Sequence, residues 1–135
     1  MKRILLDTNV ILDVLLDRRA HAEASTKVWG AAENGVAEGM LAAHTITTVH
    51  YLIRKELGAA RANAVSAVLR VLKPAPVDSD VVQQALQLPF ADFENAVTAA
   101  AARLAGCDYI VTRDPKGFRE SPVRALAPEG VIPLL

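Results

Sequence analysis

Short aliphatic runs alternate along the chain with longer segments in which apolar residues recur every three to four positions. Arg3–Leu6 reads as a buried strand that stops at Asp7-Thr8-Asn9, and Val10, Ile11, Val14 and Leu15 follow at helical spacing. His21–Asn34 is a second helix, with Ala24, Val28, Ala31 and Ala32 inward and Gly35 as its stop. Gly39–Ala43 is a second strand. Thr45 then caps a helix to Leu57 that turns Ile46, Val49, Leu52 and Ile53 to one side. Ala59–Leu72 has the same period, and Lys73-Pro74-Ala75-Pro76 breaks it and carries a short strand. Asp78-Ser79 cap a helix from Asp80 to Leu88, and Asp92–Ala105 is a further helix ended by Gly106. Tyr109-Ile110-Val111 is a β-branched strand running into Thr112-Arg113-Asp114, and the tail offers one edge strand near Val131-Ile132.

Short strands alternating with helices predict a parallel sheet with helices on both faces. There are 135 residues and no repeat, low-complexity segment or linker, so one domain over residues 1–135 is expected. Hydrophobic residues make up 52% and aromatics 4%, which excludes a disordered chain and calls for an aliphatic core. Fifteen basic residues balance fifteen acidic ones, so any nucleic-acid contact must be a local patch. The single cysteine, Cys107, excludes an intramolecular disulfide and a cysteine-based zinc site. The opening Met1-Lys2-Arg3 and Ile4-Leu5-Leu6 has the look of a signal peptide until Asp7, Asn9 and Asp13 break it. A cytoplasmic protein without a membrane span is the expectation.

In open α/β sheets, ligands bind beyond the carboxyl ends of the strands. Asp7 and Asp114 stand at two such ends, and the two strands must be adjacent and parallel for their carboxylates to share one crevice. Asp92 and Glu94 begin the helix ahead of the second of these strands. Clustered carboxylates repel, and a hard divalent cation relieves the repulsion. Taken singly, each acid has a plainer role: a cap for Asp7, a turn for Asp114, and helix-start acids favoured by the dipole for the other two.

Leu5-Leu6-Asp7-Thr8-Asn9-Val10, Asp92-Phe93-Glu94-Asn95-Ala96-Val97 and Ile110-Val111-Thr112-Arg113-Asp114, with Phe118 beyond, together resemble the PIN-domain family and its VapC-type toxins. The likeness spans nearly the whole chain. It implies a three-layer α/β/α sandwich with a short parallel sheet and a ribonuclease dependent on Mg²⁺ or Mn²⁺. It further implies RNA as substrate, a small antitoxin as partner and a homodimer. On this resemblance Asp7, Asp92 and Asp114 are catalytic and hold the metal, with Glu94 as a further ligand. Thr48 and Asn95 occupy positions where the family commonly has acids. Asp92 lies one turn before Asn95 and so shares its face, whereas Glu94 is turned about 100° from it. If the substituted positions disable the site, the alternative is a PIN fold that binds RNA or protein without cleaving it.

Thr8, Asn9, Thr112, Asn95 and Thr48 are the polar neighbours expected to orient the carboxylates or metal-bound waters. Arg113, Lys116 and Arg119 cluster beside Asp114 and are candidate phosphate contacts. His21, His44 and His50 form no metal motif, and Trp29 is either core or an interface anchor. A haloacid-dehalogenase-like phosphatase also opens with an Asp after a first strand. It needs a second Asp two positions later, where this chain has Asn9.

Overall fold

The computed structural model describes residues 1–61 and 63–135. Five strands, β1 (Arg3–Leu6), β2 (Glu38–Ala42), β3 (Lys73–Ala75), β4 (Tyr109–Val111) and β5 (Arg124–Leu126), form one sheet in the order β3-β2-β1-β4-β5. Every neighbouring pair is parallel. The helices are α1 (Thr8–Leu15), α2 (Ala22–Glu33), α3 (Thr45–Leu57), α4 (Ala64–Val71), α5 (Ser79–Gln87), α6 (Phe93–Leu104) and α7 (Pro128–Val131).

Alternation along the strands divides the core. Leu5, Met40 and Ile110 face one side with Val81 and Ala85 of α5 and the alanines of α6. Ile4, Leu6, Leu41 and Val111 face the other, with Val10 and Ile11 of α1, Val28 of α2, Val49 and Ile53 of α3, Val68 of α4 and Val131 of α7. The sheet is therefore sandwiched between two helical layers, as expected. Ala96 and Ala99–Ala102 are all buried, because a helix of small side chains can lie close against the strands. Trp29 is half-buried and packs against the second of these cores.

Three expectations change. Thr45 is the first residue of α3 rather than its cap: His44 stands at the N-cap, with no side-chain bond to the helix start. Val131-Ile132 is not a strand: α7 takes Pro128–Val131 and a 3-10 turn takes Ile132–Leu134. Pro128 sits in the first turn of α7, where its fixed φ and missing N–H suit a helix start, and Arg124–Leu126 forms the outer strand instead. The helix expected over Ala59–Leu72 is a 3-10 turn at Ala59–Arg61 followed by α4, and the part of that expectation at Ala62 lies outside the described residues. Among the described residues no helix is long and apolar enough to cross a membrane.

Cys107 is buried with its Sγ 3.8 Å from Met40 Sδ, and burial pushes the thiol up to about 11. Only the thiolate is nucleophilic. At pH 8 the native protein should therefore react with a thiol reagent far more slowly than the unfolded chain, as a colorimetric thiol assay would show. Equal rates would mean that Cys107 is accessible.

Candidate active site

The strand order reverses direction at β1, which pairs with β2 on one side and β4 on the other. A crevice opens beyond the carboxyl ends at such a point. Leu6 pairs with Val111, so Asp7 and Thr112 leave the sheet side by side, and the Asp7 N–H donates to the Val111 carbonyl at 2.9 Å.

Asp7 caps α1. Its Oδ1 accepts from the Thr8 N–H at 2.9 Å, and its Oδ2 accepts from the Thr112 hydroxyl at 2.9 Å and from Asn9 Nδ2 at 3.5 Å. The wholly buried Thr112 hydroxyl also accepts from the Asp114 N–H at 3.1 Å, so one oxygen ties the two candidate ligands together. Asn9 Oδ1 accepts from the Arg113 N–H at 3.1 Å and holds the same segment from α1.

Burial, above all, holds the Asp7 carboxyl above its ordinary value. The bonds from Thr112 and Thr8 work against this, and the charges of Glu94 and Asp114 add to it. Glu94 thus acts on Asp7 from the first turn of α6, although its helical phase sets it apart from Asn95. Asp92 is the N-cap of α6, its Oδ1 accepting from the Asn95 N–H at 3.2 Å. Asp114 Oδ1 accepts from the Gly117 N–H at 3.3 Å and caps the 3-10 turn Pro115–Phe118. Thr48 is half-buried on α3.

Asn95 and Asp114 meet over Gly117. A Cβ at Gly117 would lie 2.5 Å from Asp114 Oδ2 and 3.1 Å from Asn95 Nδ2. Gly117→Ala should therefore displace the Asp114 carboxylate and weaken Mn²⁺ binding about tenfold, with melting little changed. Calorimetry beside a thermal melt checks this, and an unaltered affinity would place Asp114 outside the metal's reach. An open cleft of about 390 Å³ passes this point, lined by Phe90, Asp92, Asn95, Asp114, Lys116 and Arg119 among others. Arg113 is placed differently: its Nε lies 2.8 Å from Asp13 Oδ2.

Two residues to which the sequence assigns no role stand close by. His44 follows β2, its two ring nitrogens buried without a hydrogen-bond partner among the described residues. Burial lowers its pKa, and the charges of Glu94 and Asp7 oppose that. Asp13, fully buried on α1, holds Arg113.

Among the described residues no three His, Cys, Asp or Glu side chains already converge as a cage for an ion. The donor set nonetheless suits a hard cation. Glu94 and Asp114 each lie within electrostatic reach of Asp7, while the ion pairs among the described residues join other partners. Mg²⁺ needs only one or two protein carboxylates, with waters and substrate phosphate completing its shell.

The family model described as "PIN domain" matches residues 3–116. "Ribonuclease VapC1" of Aquifex aeolicus (strain VF5) is 24% identical over 133 residues, covering 95% of this chain and 92% of its own. Among solved structures, FitAcB from Neisseria gonorrhoeae superimposes with a TM-score of 0.73 at 22% identity, covering 93% of this chain and 98% of that one. A toxin–antitoxin complex from Klebsiella pneumoniae gives 0.69 at 19% identity, with 93% and 97% covered.

Proposed function

This chain belongs to the PIN domain family, and from that premise we propose that it is a VapC-type ribonuclease, the toxin of a toxin–antitoxin pair, that hydrolyses RNA phosphodiesters with Mg²⁺ or Mn²⁺. The observation that carries the reading is Asp7 at the reversal of the strand order, tied through the Thr112 hydroxyl to Asp114 and acted on by the charges of both Glu94 and Asp114, with no cation paired to any of the three among the described residues. Similarity to the Aquifex ribonuclease and to the Klebsiella toxin–antitoxin complex supports it.

In this reading Asp7, Glu94 and Asp114 hold the ion, with Asp92 lining the cleft that Asp114 also borders. The ion, when bound, activates a water and stabilises the leaving oxygen. Thr112 fixes the direction of the Asp7 carboxylate and the position of Asp114, while the Thr8 N–H holds the other Asp7 oxygen and Asn9 holds the Arg113 backbone. Asn95 supplies an amide beside Asp114, and Thr48 of α3 would orient a metal-bound water. Lys116 and Arg119 line the cleft next to Asp114 and take the RNA backbone. A cytoplasmic homodimer silenced by a small antitoxin is the assembly this reading implies.

The test is cleavage of bulk RNA by the purified chain with Mn²⁺, with Mg²⁺ and with EDTA. Cleavage with either ion and none with EDTA is expected. RNA bound but left whole with both ions would favour the non-cleaving alternative. Lys116→Ala with Arg119→Ala should weaken RNA binding across all sequences. It should also flatten the dependence of log affinity on log salt by about 0.7 for each phosphate no longer neutralised. Fluorescence anisotropy at several salt concentrations reads this, and an unchanged slope would remove both residues from the interface.

A further inference from the structure

Asp13 is the fully buried acid of α1 that the proposed chemistry does not use. A carboxylate withdrawn from water needs compensating partners. Its Oδ2 lies 2.8 Å from Arg113 Nε and accepts from the Ser25 hydroxyl at 3.1 Å, and its Oδ1 has Arg18 Nη1 at 3.7 Å. Arg113 comes from the far end of the chain, between Thr112 and Asp114. Its backbone N–H is held at 3.1 Å by Asn9. Asn9 and Asp13 are four residues apart on one helix and so project on the same side. One takes the backbone of Arg113 and the other its guanidinium, while the N-cap of that helix is Asp7. A single helix thus carries one candidate ligand and grips, at two points, the segment that carries the other.

We propose that Asp13 and Arg113 are a positioning pair that fixes the Thr112–Asp114 segment against α1 and so sets Asp114 relative to Asp7. Arg113 then serves the metal site from behind rather than holding RNA, unlike its neighbours Lys116 and Arg119. This inference rests on the metal-dependent reading above.

The test compares the wild type with Arg113→Gln, Arg113→Lys, Asp13→Asn and the double variant Asp13→Asn/Arg113→Gln. Mn²⁺ affinity is measured by calorimetry, RNA affinity against salt by anisotropy, and folding by thermal melts. Arg113→Gln and Asp13→Asn should each lower Mn²⁺ affinity about tenfold, the scale on which groups that orient metal ligands act. The double variant should be no worse than either single one, because the two act through each other. Arg113→Lys, which keeps the charge against Asp13, should recover part of the affinity. The salt slope of RNA binding should stay at the wild-type value. If a single variant leaves a charge buried and fails to fold, the double variant removes both charges, and a folded double variant must still bind Mn²⁺ about tenfold more weakly. Unchanged Mn²⁺ affinity with a flatter salt slope would make Arg113 an RNA contact and overturn the proposal. Effects that add in the double variant would overturn it as well. Wild type that binds no Mn²⁺ would sink the metal-dependent reading and this inference with it. Mn²⁺ binding that Asp7→Asn abolishes but Arg113→Gln leaves intact would sink the inference alone.

Discussion

Asp7→Asn should lower RNA cleavage on the order of 10³-fold or more while leaving the protein folded. A metal ion contributes several kcal/mol of stabilisation in the transition state, and each 1.36 kcal/mol is a factor of ten. Asn keeps the shape of the side chain and one acceptor oxygen for the cap, so the fold does not depend on the charge. The effect on stability follows from the direction of the Asp7 shift. Burial, joined by the charges of Glu94 and Asp114, raises this carboxyl above its usual 3.8. An acid with a higher pKa in the fold than in the unfolded chain binds its proton more tightly when folded. Its contribution favours folding below pH 3.8 and is lost as the pH rises through the folded value. At pH 7 the charged carboxylate therefore works against the metal-free fold. Asp7→Asn in EDTA should melt higher than wild type at pH 7, with the gap closing as the pH falls towards 3.8. Melting curves across that range decide the point. A variant that melts lower at pH 7 would make Asp7 chiefly a cap.

Leu5→Ala should cost about 2–5 kcal/mol, towards the upper end of that range. Leu5 is fully buried in the central strand and packs on the side of the sheet covered by α6. The side chains available to close the gap there are largely alanines, Ala96 and Ala99–Ala102, which have no reach to fill it. At about 4 °C per kcal/mol for a domain of this size, the melting temperature should fall by roughly 8–20 °C. Because α6 and its N-cap carry Asp92, Glu94 and Asn95, metal affinity should fall with it. Val82→Ala, on the exposed side of α5, should stay within about 0.5 kcal/mol and serves as the control. Guanidinium unfolding of both variants measures the difference, and similar midpoints would refute the packing account.

The residues differ in how far their place can be read from the chain. Strands β1 and β4 announce themselves as aliphatic runs ending in acids, and the rule on strand ends then brings Asp7 and Asp114 to one crevice. The tail is ambiguous in sequence because two apolar residues, Val131 and Ile132, fit either period, and the prolines on both sides settle it as helical. Glu94 is harder. Its helical phase says where it points relative to Asn95, but its distance from Asp7 depends on how α6 sits over β1 and β4. The partners of Asp13 and His44 are not legible in sequence. Their surroundings are set by tertiary packing: Arg113 arrives from beyond β4, and His44 meets the charges of Asp7 and Glu94 from two other elements. The break in hydrophobic pattern at Asp13, useful for rejecting a signal peptide, is the one sign that a polar residue has a fixed place there.

The central claim is that Asp7, Glu94 and Asp114 share one divalent cation. Calorimetric titration of Mn²⁺ into the wild type, Glu94→Gln and Asp92→Asn tests it most directly. One ion per chain is expected in the wild type, with affinity at least about tenfold lower in Glu94→Gln, since affinity for hard cations follows the number of charged ligands. Asp92→Asn, which keeps a capping oxygen for the Asn95 N–H, should lose less. No binding by the wild type, or equal affinity in Glu94→Gln, would contradict the account.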